Sequence, residues 1–328
     1  MEKEAWDVQF DDRRQNRLRD LARTCEPMWV STLDEPDIAD ELADVEVLLT
    51  GWGTPRLSAD VLARLPRLRA VLHCAGTVQT LVSPELWHRG ITVSTSADLN
   101  AEPVAEFTLA AVIMAGKKAP FLAAEGRRYR RDWTYRKRHG SLSNLGLTVG
   151  IVGFSRIGRR VVDLLNRTLR DVTCLVADPY ADPREVSDAG AHLMDLDDML
   201  PELDVLSLHA PALPETHHMI SAPRLATLPD HCCVINTARG SLVNTAALEA
   251  ECTAGRLHAI LDVTDPEPLP DDSVLYDLPN VMLTPHIAGS LDSETMRMAD
   301  GALDELERLA HGRPLVRTVD RAALTYSA

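Results

Sequence analysis

The chain has 328 residues, of which 45% are hydrophobic and 25% are charged, a composition typical of a globular protein that can bury a large core. This length fits two domains of ordinary size better than one. The 34 basic and 49 acidic residues give a formal net charge of −15, which argues against nucleic acid or an anionic membrane as a partner of the whole molecule.

Short apolar runs alternate with amphipathic segments from Val45 onward. The first three runs, each bounded by turn residues, are VEVLLT (45–50), RAVLHCAG (69–76) and ITVSTSA (91–97). A long apolar helix is predicted from about Pro103 to Ala115, and a polar, basic stretch follows from Lys117 to Asn144. Strands that alternate with helices predict a parallel sheet covered on both faces.

A second and stronger alternation begins at LTVGIVGF (147–154), and an amphipathic helix is predicted after it from Ile157 to Leu169. The later strand-like runs are VTCLVAD (172–178), DVLSLHA (204–210), CCVINTA (232–238), HAILDV (258–263) and VMLTPH (281–286). A last helix is predicted over about Ser293 to His311. The whole pattern predicts an α/β protein with two domains and doubly wound parallel sheets.

The segment GIVGFSRIG (150–158) lies between a predicted strand and a predicted helix, which is the context of the dinucleotide fingerprint G-x-G-x-x-G. Gly153 and Gly158 fill the outer glycine positions, but Ser155 stands in the middle one. Serine adds only a Cβ and a hydroxyl, which can itself donate to a phosphate oxygen. The free N–H groups and positive dipole end of the helix favour a pyrophosphate at this turn. The cofactor contacts predicted here are Gly153, Ser155, Arg156, Ile157 and Gly158.

Asp178 supports the same interpretation. It closes the next predicted strand, about 20 residues beyond the last glycine, where an acid holds the ribose 2′-hydroxyl in dinucleotide sites. Because its carboxylate would repel a 2′-phosphate, the sequence predicts NAD rather than NADP as the cofactor.

Three charged residues lie at or just beyond the ends of predicted strands: Arg239 in NTARGSLV, Glu267 in LDVTDPEPLP and His286 in LTPHIAGS. Ligands bind at the carboxyl ends of strands in open α/β sheets. An arginine there would bind a substrate carboxylate in a fork, and a histidine would supply a proton as hydride arrives from the nicotinamide. A carboxylate hydrogen-bonded to the imidazole favours its charged form. The set suits reduction of a 2-keto acid.

The cysteines and the N-terminal stretch bear on the cellular compartment. The six cysteines show no C-x-x-C spacing and most lie in apolar runs, so we expect buried free thiols rather than disulfides or a metal site. The stretch MEKEAWDVQFDDRRQ lacks the apolar core of a secretory signal. A cytoplasmic protein without a metal is therefore predicted. His217 and His218 lie in a polar, turn-like stretch and are expected to be solvated.

The motifs GIVGFSRIG, NTARGSLVNTAAL, LDVTDPEPLP and NVMLTPHIAGS resemble, in this order, the signatures of the D-isomer-specific 2-hydroxyacid dehydrogenases. That family includes glyoxylate/hydroxypyruvate reductases, D-lactate dehydrogenases and D-3-phosphoglycerate dehydrogenases. The resemblance extends from about Val45 to the C-terminal helix and is strongest over 147–290. It implies NAD-dependent hydride transfer to a small 2-keto acid, with Arg239, Glu267 and His286 as catalytic residues and His286 as general acid and base.

The resemblance also implies binding residues outside these motifs. Further cofactor contacts are assigned to His209 and Pro211 of a His-x-Pro motif, to Thr237, and to Asp262 at the nicotinamide carboxamide. Substrate contacts are assigned to Ala75, Gly76 and Thr77 of a glycine-containing loop, to Asn100 at the family's interdomain hinge, and to Arg239. The loop lacks the aspartate usual in the family, and Asp262 has the alternative role of capping a neighbouring loop.

The family's topology implies a discontinuous arrangement of domains. A Rossmann NAD-binding domain at 102–289 is inserted into a flavodoxin-like substrate domain made of 1–101 and 290–328. In the family, the region corresponding to 117–146 takes part in dimerisation, so a homodimer is predicted through it. The basic run RRYRRDWTYRKRH (127–139) lies in that region, and contact with a phosphorylated substrate is its alternative role.

Two other functions remain open on the sequence. Transcriptional corepressors of the same fold bind NAD(H) as a sensor and resemble the enzymes at the arginine, glutamate and histidine positions, and formate- or phosphite-type dehydrogenases share the fold. Turnover of a keto acid, compared with cofactor binding alone, separates an enzyme from a sensor. The side chain of the substrate is not defined by the motifs, because it depends on the pocket around Trp52, His73 and Thr77.

Overall fold

The computed structural model of the chain describes residues 1–34, 38–322 and 324. It divides into two compact units, one formed by Met1–Ala101 with Ser290–Ala328 and the other by Glu102–Gly289. Each unit contains a parallel β-sheet, which confirms the α/β class predicted from the alternation of strands and helices.

The strands in chain order are β1 (Val47–Thr50), β2 (Ala70–His73), β3 (Thr92–Thr95), β4 (Thr148–Val152), β5 (Thr173–Ala177), β6 (His192–Leu193), β7 (Val205–Leu208), β8 (Cys233–Asn236), β9 (His258–Leu261) and β10 (Val281–Leu283). The α-helices are α1 (Lys3–Gln9), α2 (Asp12–Leu21), α3 (Ala39–Leu42), α4 (Ala59–Ala63), α5 (Pro84–His88), α6 (Ala97–Gly116), α7 (Ala119–Tyr129), α8 (Arg156–Thr168), α9 (Pro183–Asp188), α10 (Leu196–Met199), α11 (Ala222–Thr227), α12 (Thr245–Thr253) and α13 (Thr295–Ala310). Short 3-10 helices lie at Trp133–His139, Leu200–Glu202, Pro214–Thr216, Gly240–Leu242, Val274–Tyr276 and Asp292–Glu294.

In the described residues of the first unit, the parallel sheet has three strands in the order β1-β2-β3. An antiparallel bridge joins Ser94 of β3 to Thr318, so the segment after α13 lies along the β3 edge. Helices α1, α2 and α13 pack together around Phe10, Leu72 and Leu303, which are buried in one cluster. The charged α1 and α2 are absent from the sequence-based expectations, which began at Val45.

In the described residues of the second unit, the parallel sheet has seven strands in the order β10-β9-β8-β7-β4-β5-β6. The chain starts at the central β4, winds outward through β5 and β6, and then returns to β7 on the other side of β4. The sequence order therefore reverses between β4 and β7, and this reversal is the point where open doubly wound sheets bind dinucleotides.

Both faces of this second sheet are covered by apolar side chains. One cluster joins β8 residues to helices α11 and α12 through Leu225 and Leu248, and it contains Cys232. The opposite cluster contains Cys233 together with α7 and α8 residues such as Phe121 and Val161. The adjacent cysteines therefore point to opposite faces, as the strand alternation predicts. All six cysteines lie in the described part of the chain and are free, and Cys25 alone among them is only partly buried.

The region between the two alternating patterns is more helical than expected. Helix α6 begins at Ala97 and contains Pro103 in its interior, whereas the sequence predicted its start at about Pro103. The first turns were missed because they are more polar and lack the apolar periodicity on which the prediction depended. The basic stretch after it contains α7 and a 3-10 helix. In the described residues no single helix is long and apolar enough to cross a membrane. Helices α6 and α7, which meet at a bend of 49°, reach that length and apolar composition only as a pair.

Candidate active site

The turn after β4 requires glycine at two of its three fingerprint positions. Gly153 has φ +96°, and a Cβ there would lie 2.8 Å from backbone atoms of His209 and Ala210. A Cβ on Gly158 would overlap the carbonyl oxygen of Gly153. These two glycines therefore let the turn pass close to the end of β7 and let α8 begin close to the turn.

Ser155 is sterically acceptable in the middle position. It is the N-cap residue of α8 with φ −97°, and its side chain caps no backbone N–H of that helix in the described residues. The side chain is exposed. A negative φ and an exposed Cβ place no demand for glycine on this position. Of the next two residues, Arg156 opens the helix and Ile157 packs against the buried cluster below it.

Asp178 follows β5 and is fixed next to the same turn. Its Oδ2 accepts the N–H of Phe154 at 2.7 Å, and its Oδ1 accepts the N–H of Tyr180 at 2.9 Å. A carboxylate oxygen has a second lone pair, so each oxygen can accept a further hydroxyl donor while it holds the turn.

His209 lies at the end of β7, on the other side of the strand-order reversal. Its Nε2 is 2.9 Å from Ser207 Oγ, and its buried Nδ1 has no hydrogen-bond partner among the described residues. Burial lowers the pKa of His209 to about 3, which keeps the imidazole neutral. Pro211 follows, and its carbonyl accepts the hydroxyl of Thr216 at 2.6 Å. The sequence did not indicate the Ser207 contact, although a spacing of two residues puts both side chains on one face of a strand.

These features fit a dinucleotide. A Cβ at Gly153 would fill the space inside the turn, so glycine keeps that space open. The N-terminus of α8 offers backbone donors, and Asp178 retains acceptor capacity. Among the described residues, the buried Nδ1 of His209 has no partner. A parallel sheet with this strand order and such a turn at the reversal point is a Rossmann dinucleotide-binding domain.

Arg239 lies just beyond β8, in a segment held by short hydrogen bonds. Asn236 Nδ2 donates to the carbonyl of Arg239 at 2.9 Å, and Arg239 Nη1 donates to the carbonyl of Ala238 at 2.6 Å. A Cβ on Gly240 would overlap the carbonyl of Thr264, so this glycine allows close approach to the loop after β9. Thr237 is buried, with its Oγ1 3.1 Å from the Oγ1 of Thr108 in α6.

His286 and Glu267 form a hydrogen-bonded pair beyond β10 and β9. His286 Nδ1 lies 2.6 Å from Glu267 Oε1, and the two side chains are 53% and 41% exposed. Because an ionised carboxylate can only accept, Nδ1 is the donor. In the described residues Nε2 has no protein partner, so one ring nitrogen is fixed by Glu267 and the other faces outward.

Asp262 fixes the backbone on which His286 stands. It is buried, and Oδ1 accepts the hydroxyl of Thr284 at 2.6 Å and the N–H of Ile287 at 2.8 Å. Its Oδ2 accepts the N–H of Ala288 at 2.9 Å. His286 itself has φ +56°, a conformation that is uncommon for a non-glycine residue. Asp262 therefore forms the loop-capping bonds that the sequence analysis gave as its alternative role, and Oδ2, with one donor in place, keeps a lone pair for a further donor.

Since β8, β9 and β10 are neighbouring parallel strands, their carboxyl ends meet at one edge of the sheet. Arg239, Glu267 and His286 each follow one of these strands. The second unit therefore places the three residues predicted to be catalytic in loops at one end of its sheet, with Glu267 and His286 in direct contact. The same unit contains the turn, Asp178 and His209.

The predicted substrate loop follows β2 in the first unit. The carbonyl of Ala75 accepts the N–H of Ser96 at 3.1 Å. The single hydroxyl proton of Thr95 is shared between the carbonyls of Ala75 and Gly76, both within hydrogen-bond distance. Thr77 follows in this loop. Asn100 Oδ1 accepts the N–H of Ser290 at 2.9 Å, which joins the last residues of the first segment of this unit to the start of its returning segment.

His73, at the end of β2, is buried with its Nδ1 2.9 Å from Thr50 Oγ1. Burial lowers the pKa of His73 to about 4. This side chain is therefore a neutral, fixed group just before the loop, whereas Trp52 is partly exposed.

Comparison with known proteins identifies the family. Residues 109–288 match the NAD-binding domain of the D-isomer-specific 2-hydroxyacid dehydrogenases. The chain is 31% identical over 275 residues to a glyoxylate reductase of Aeropyrum pernix, covering 82% of this chain and 81% of that protein. It is 32% identical over 291 residues to D-3-phosphoglycerate dehydrogenase of Mycobacterium tuberculosis, covering 88% of this chain but 54% of that enzyme. The chain thus spans about half the length of the phosphoglycerate dehydrogenases it matches.

Solved structures share the fold. A phosphoglycerate oxidoreductase from Rhizobium etli matches with a TM-score of 0.78 at 26% identity, over 96% of this chain and 95% of that one. An NAD complex of a D-isomer-specific 2-hydroxyacid dehydrogenase from Lactobacillus delbrueckii shares the fold with a TM-score of 0.77 at 21% identity, over 94% of this chain and 98% of that one. The chain belongs to the D-isomer-specific 2-hydroxyacid dehydrogenase family, and its cofactor is NAD.

Proposed function

We propose that the protein is an NAD-dependent D-2-hydroxyacid dehydrogenase that interconverts a small 2-keto acid and the corresponding D-2-hydroxy acid. The observation that carries the proposal is the 2.6 Å contact between His286 Nδ1 and Glu267 Oε1 at the edge of the NAD-binding sheet where Arg239 also lies. The similarity to a glyoxylate reductase over most of both chains supports the same activity.

In this proposal NAD supplies the hydride donor or acceptor through its nicotinamide ring. The backbone N–H groups at the start of α8, which Gly153 and Gly158 make accessible, would hold the pyrophosphate, and Asp178 would accept the ribose hydroxyls. The remaining assigned cofactor contacts are Ser155, Arg156, Ile157, His209, Pro211, Thr237 and Asp262.

Three residues divide the work on the substrate: one binds it, one transfers the proton and one orients the proton donor. Arg239 binds the carboxylate of the keto acid and polarises its carbonyl oxygen. His286 donates a proton from Nε2 to that oxygen during reduction and takes it back in the reverse direction. Glu267 accepts from Nδ1 and thereby fixes the ring and stabilises the imidazolium. Ala75, Gly76, Thr77 and Asn100 are the other assigned substrate contacts.

Assembly and location are part of the same proposal. We assign a homodimer to the region 117–146, in which Trp133 is 69% exposed and the basic residues around it are largely exposed. A large exposed aromatic side chain of this kind is favoured at protein interfaces. All six cysteines lie in the part of the chain that the structure describes and are free, which supports a location in the reducing cytoplasm.

The test is the loss of NADH absorbance with glyoxylate, hydroxypyruvate, pyruvate and bulkier 2-keto acids, in parallel with NADPH. We expect turnover that prefers NADH, and His286→Ala is expected to lower kcat by about 10²–10⁴. His192→Ala, at an exposed histidine of β6, is the matched control and should leave kcat unchanged.

The contrary outcomes are distinct. Tight NADH binding without turnover of any keto acid would favour an NAD(H) sensor of the same fold. Turnover of formate or phosphite instead of keto acids would point to the dehydrogenases that act on those substrates. An unchanged rate in His286→Ala would remove this histidine from the mechanism.

A further inference from the structure

Two adjacent histidines and an aspartate form a cluster that the proposed dehydrogenase chemistry does not use. His217 and His218 follow the 3-10 helix Pro214–Thr216, and Asp265 lies in the loop after β9. One ring nitrogen of each histidine and one carboxylate oxygen of Asp265 lie within 4.8 Å of one another. Among the described residues, no other group of three or more histidine, cysteine, aspartate and glutamate side chains has this spacing.

The backbone of the cluster is fixed by hydrogen bonds. His218 has φ +51°, and its N–H donates to Ser241 O at 2.8 Å. The carbonyl of Asp265 accepts the hydroxyl of Thr245 at 2.7 Å. The two imidazole rings stack with centroids 3.9 Å apart. The three side chains are therefore presented together by segments that are already ordered, which lowers the entropic cost of binding a shared ligand.

Apart from the stacking of the two rings, the polar atoms of these side chains have no partner among the described residues. Within the described residues, neither imidazole and neither oxygen of the Asp265 carboxylate forms a hydrogen bond or an ion pair. His217 is exposed, whereas His218 and Asp265 are half-buried. The expectation that both histidines are solvated therefore holds for His217 only. A half-buried carboxylate next to two nitrogen lone pairs, without a cation, is an arrangement in which a positive ion is favourable.

The donor set selects the kind of ion. Two imidazole nitrogens and one carboxylate oxygen suit Zn²⁺ and related divalent transition metals, whereas Ca²⁺ and Mg²⁺ prefer oxygen ligands. Bonds of about 2.0–2.2 Å in a tetrahedral site set neighbouring ligand atoms about 3.4 Å apart. The ligand atoms, which lie within 4.8 Å of one another, would close by up to about 1.4 Å. The stacked rings would rotate apart so that each nitrogen lone pair points at the ion, and a water would take the fourth position.

We propose that His217, His218 and Asp265 bind one divalent transition-metal ion of the zinc class. The ion would tie the turn after Pro211 to the loop after β9. Because Asp265 precedes Glu267 by one intervening residue, metal binding would restrain the segment that holds Glu267. The binding step is independent of whether the protein is a dehydrogenase, since it requires neither NAD nor a keto acid.

The test is a titration of the full chain with Zn²⁺ after treatment with EDTA, in competition with a chromophoric chelator. We expect one equivalent of Zn²⁺ to bind, and Co²⁺ to bind in its place with the absorption bands of a tetrahedral site. His217→Ala, His218→Ala and Asp265→Asn should each weaken zinc binding by ~10-fold or more, since even the loss of a group behind a ligand costs that much.

Matched controls separate this site from general surface binding. His192→Ala and Asp271→Asn alter exposed residues of the same unit and should leave zinc affinity unchanged. Metal-free melting curves show that each variant folds. The proposal is overturned if the wild-type chain binds no zinc at one equivalent, if the three variants bind it as tightly as the wild type, or if the control variants lose it equally.

Discussion

At the scale of single residues, His286 and Glu267 combine a short hydrogen bond with high exposure. Their atoms lie 2.6 Å apart, yet about half of each side chain faces solvent. A solvated ion pair of this kind contributes little to folding stability. The contact is therefore better explained by orientation of the ring, because it leaves Nε2 available for the proton transfer proposed above.

Glu267→Gln tests this orientation. Glutamine keeps the size of the side chain but removes the charge that stabilises the imidazolium, and a hydrogen bond to a charged group contributes about 1.5–3 kcal/mol. We expect kcat to fall by about 10- to 100-fold, with a small change in KM because Arg239, the residue proposed to bind the carboxylate, is unchanged. Steady-state kinetics on a keto acid measures both values.

The control for this variant is Asp271→Asn, at an exposed carboxylate of the same unit. A kcat that stays within twofold of the wild type in Glu267→Gln would contradict the orienting role. An increase in KM at constant kcat would move Glu267 from proton transfer to substrate binding.

The sequence could identify some residues of the candidate site and not others. Arg239, Glu267 and His286 were recognisable because charged side chains follow apolar strands. The loop-capping bonds of Asp262 were not separable from a ligand contact, because an acid at a strand end suits both. The contact of Thr237 with Thr108 joins positions that are far apart in the chain, and one sequence carries no signal for it.

At the scale of elements, the turn between β4 and α8 contains one position that requires glycine and one that does not. Gly153 is required by its positive φ and by the backbone of His209 and Ala210, whereas Ser155 has an ordinary φ and an exposed side chain. The fingerprint therefore survives with serine in the middle position because the steric demand lies at its two outer positions.

Gly153→Ala and Ser155→Gly make this difference measurable. The alanine variant must relieve both the positive φ and the overlap with the backbone of His209 and Ala210, so we expect a lower melting temperature and a loss of NADH binding. The glycine variant changes an N-cap residue from serine, which costs only a few tenths of a kcal/mol, so its melting temperature should stay nearly constant. Calorimetry and NADH titration of both variants supply the data.

Equal effects of the two substitutions on melting temperature would contradict the steric explanation. A large gain in NADH affinity for Ser155→Gly would show that the serine Cβ hinders the pyrophosphate, which the exposed side chain and negative φ do not predict.

Elements with a strong apolar period were predictable, and the others were not. Strand β4 and helix α8 follow patterns that local sequence defines. Helices α1 and α2 are charged, and they bury only a few side chains against α13, so their order depends on a distant part of the chain. Strand β6 has two residues, which is too short for any period to be seen.

At the scale of the whole molecule, each unit buries neutral histidines. Burial lowers the pKa of His73 in the first unit to about 4, and that of His209 in the second unit to about 3. Burial also lowers the pKa of His258 to about 3, with smaller contributions from Lys118 and His139. Because these values lie below the ordinary histidine value of 6.5, the unfolded chain takes up protons that the folded chain does not.

The free energy of unfolding should therefore be pH-dependent below neutrality. It is expected to be greatest above about pH 6.5 and to fall as the pH decreases toward about 4, with a slope of up to ~1.4 kcal/mol per pH unit for each histidine. Urea denaturation at a series of pH values measures the slope, and His258→Gln should reduce it by close to one histidine.

His192→Ala is the reference variant, because this histidine is exposed and should leave the slope unchanged. Stability that stays constant between about pH 4 and 6.5 would contradict the neutral, buried state of these side chains.

The division into two units is harder to see in the sequence than the elements are. The first division, at Ala101 and Glu102, lies inside helix α6, so it has no loop or linker composition. The motif resemblance implied the same arrangement, whereas composition and periodicity gave only the number of domains.

The adjacent Cys232 and Cys233 point into the two opposite apolar layers of the second sheet. Burial raises the pKa of both thiols, to about 12 for Cys233, so neither reacts readily while its layer is intact. Alkylation of Cys232 records the opening of the layer formed with α11 and α12. Alkylation of Cys233 records the opening of the layer formed with α7 and α8. Two neighbouring positions in the chain thus report independently on two sides of one sheet.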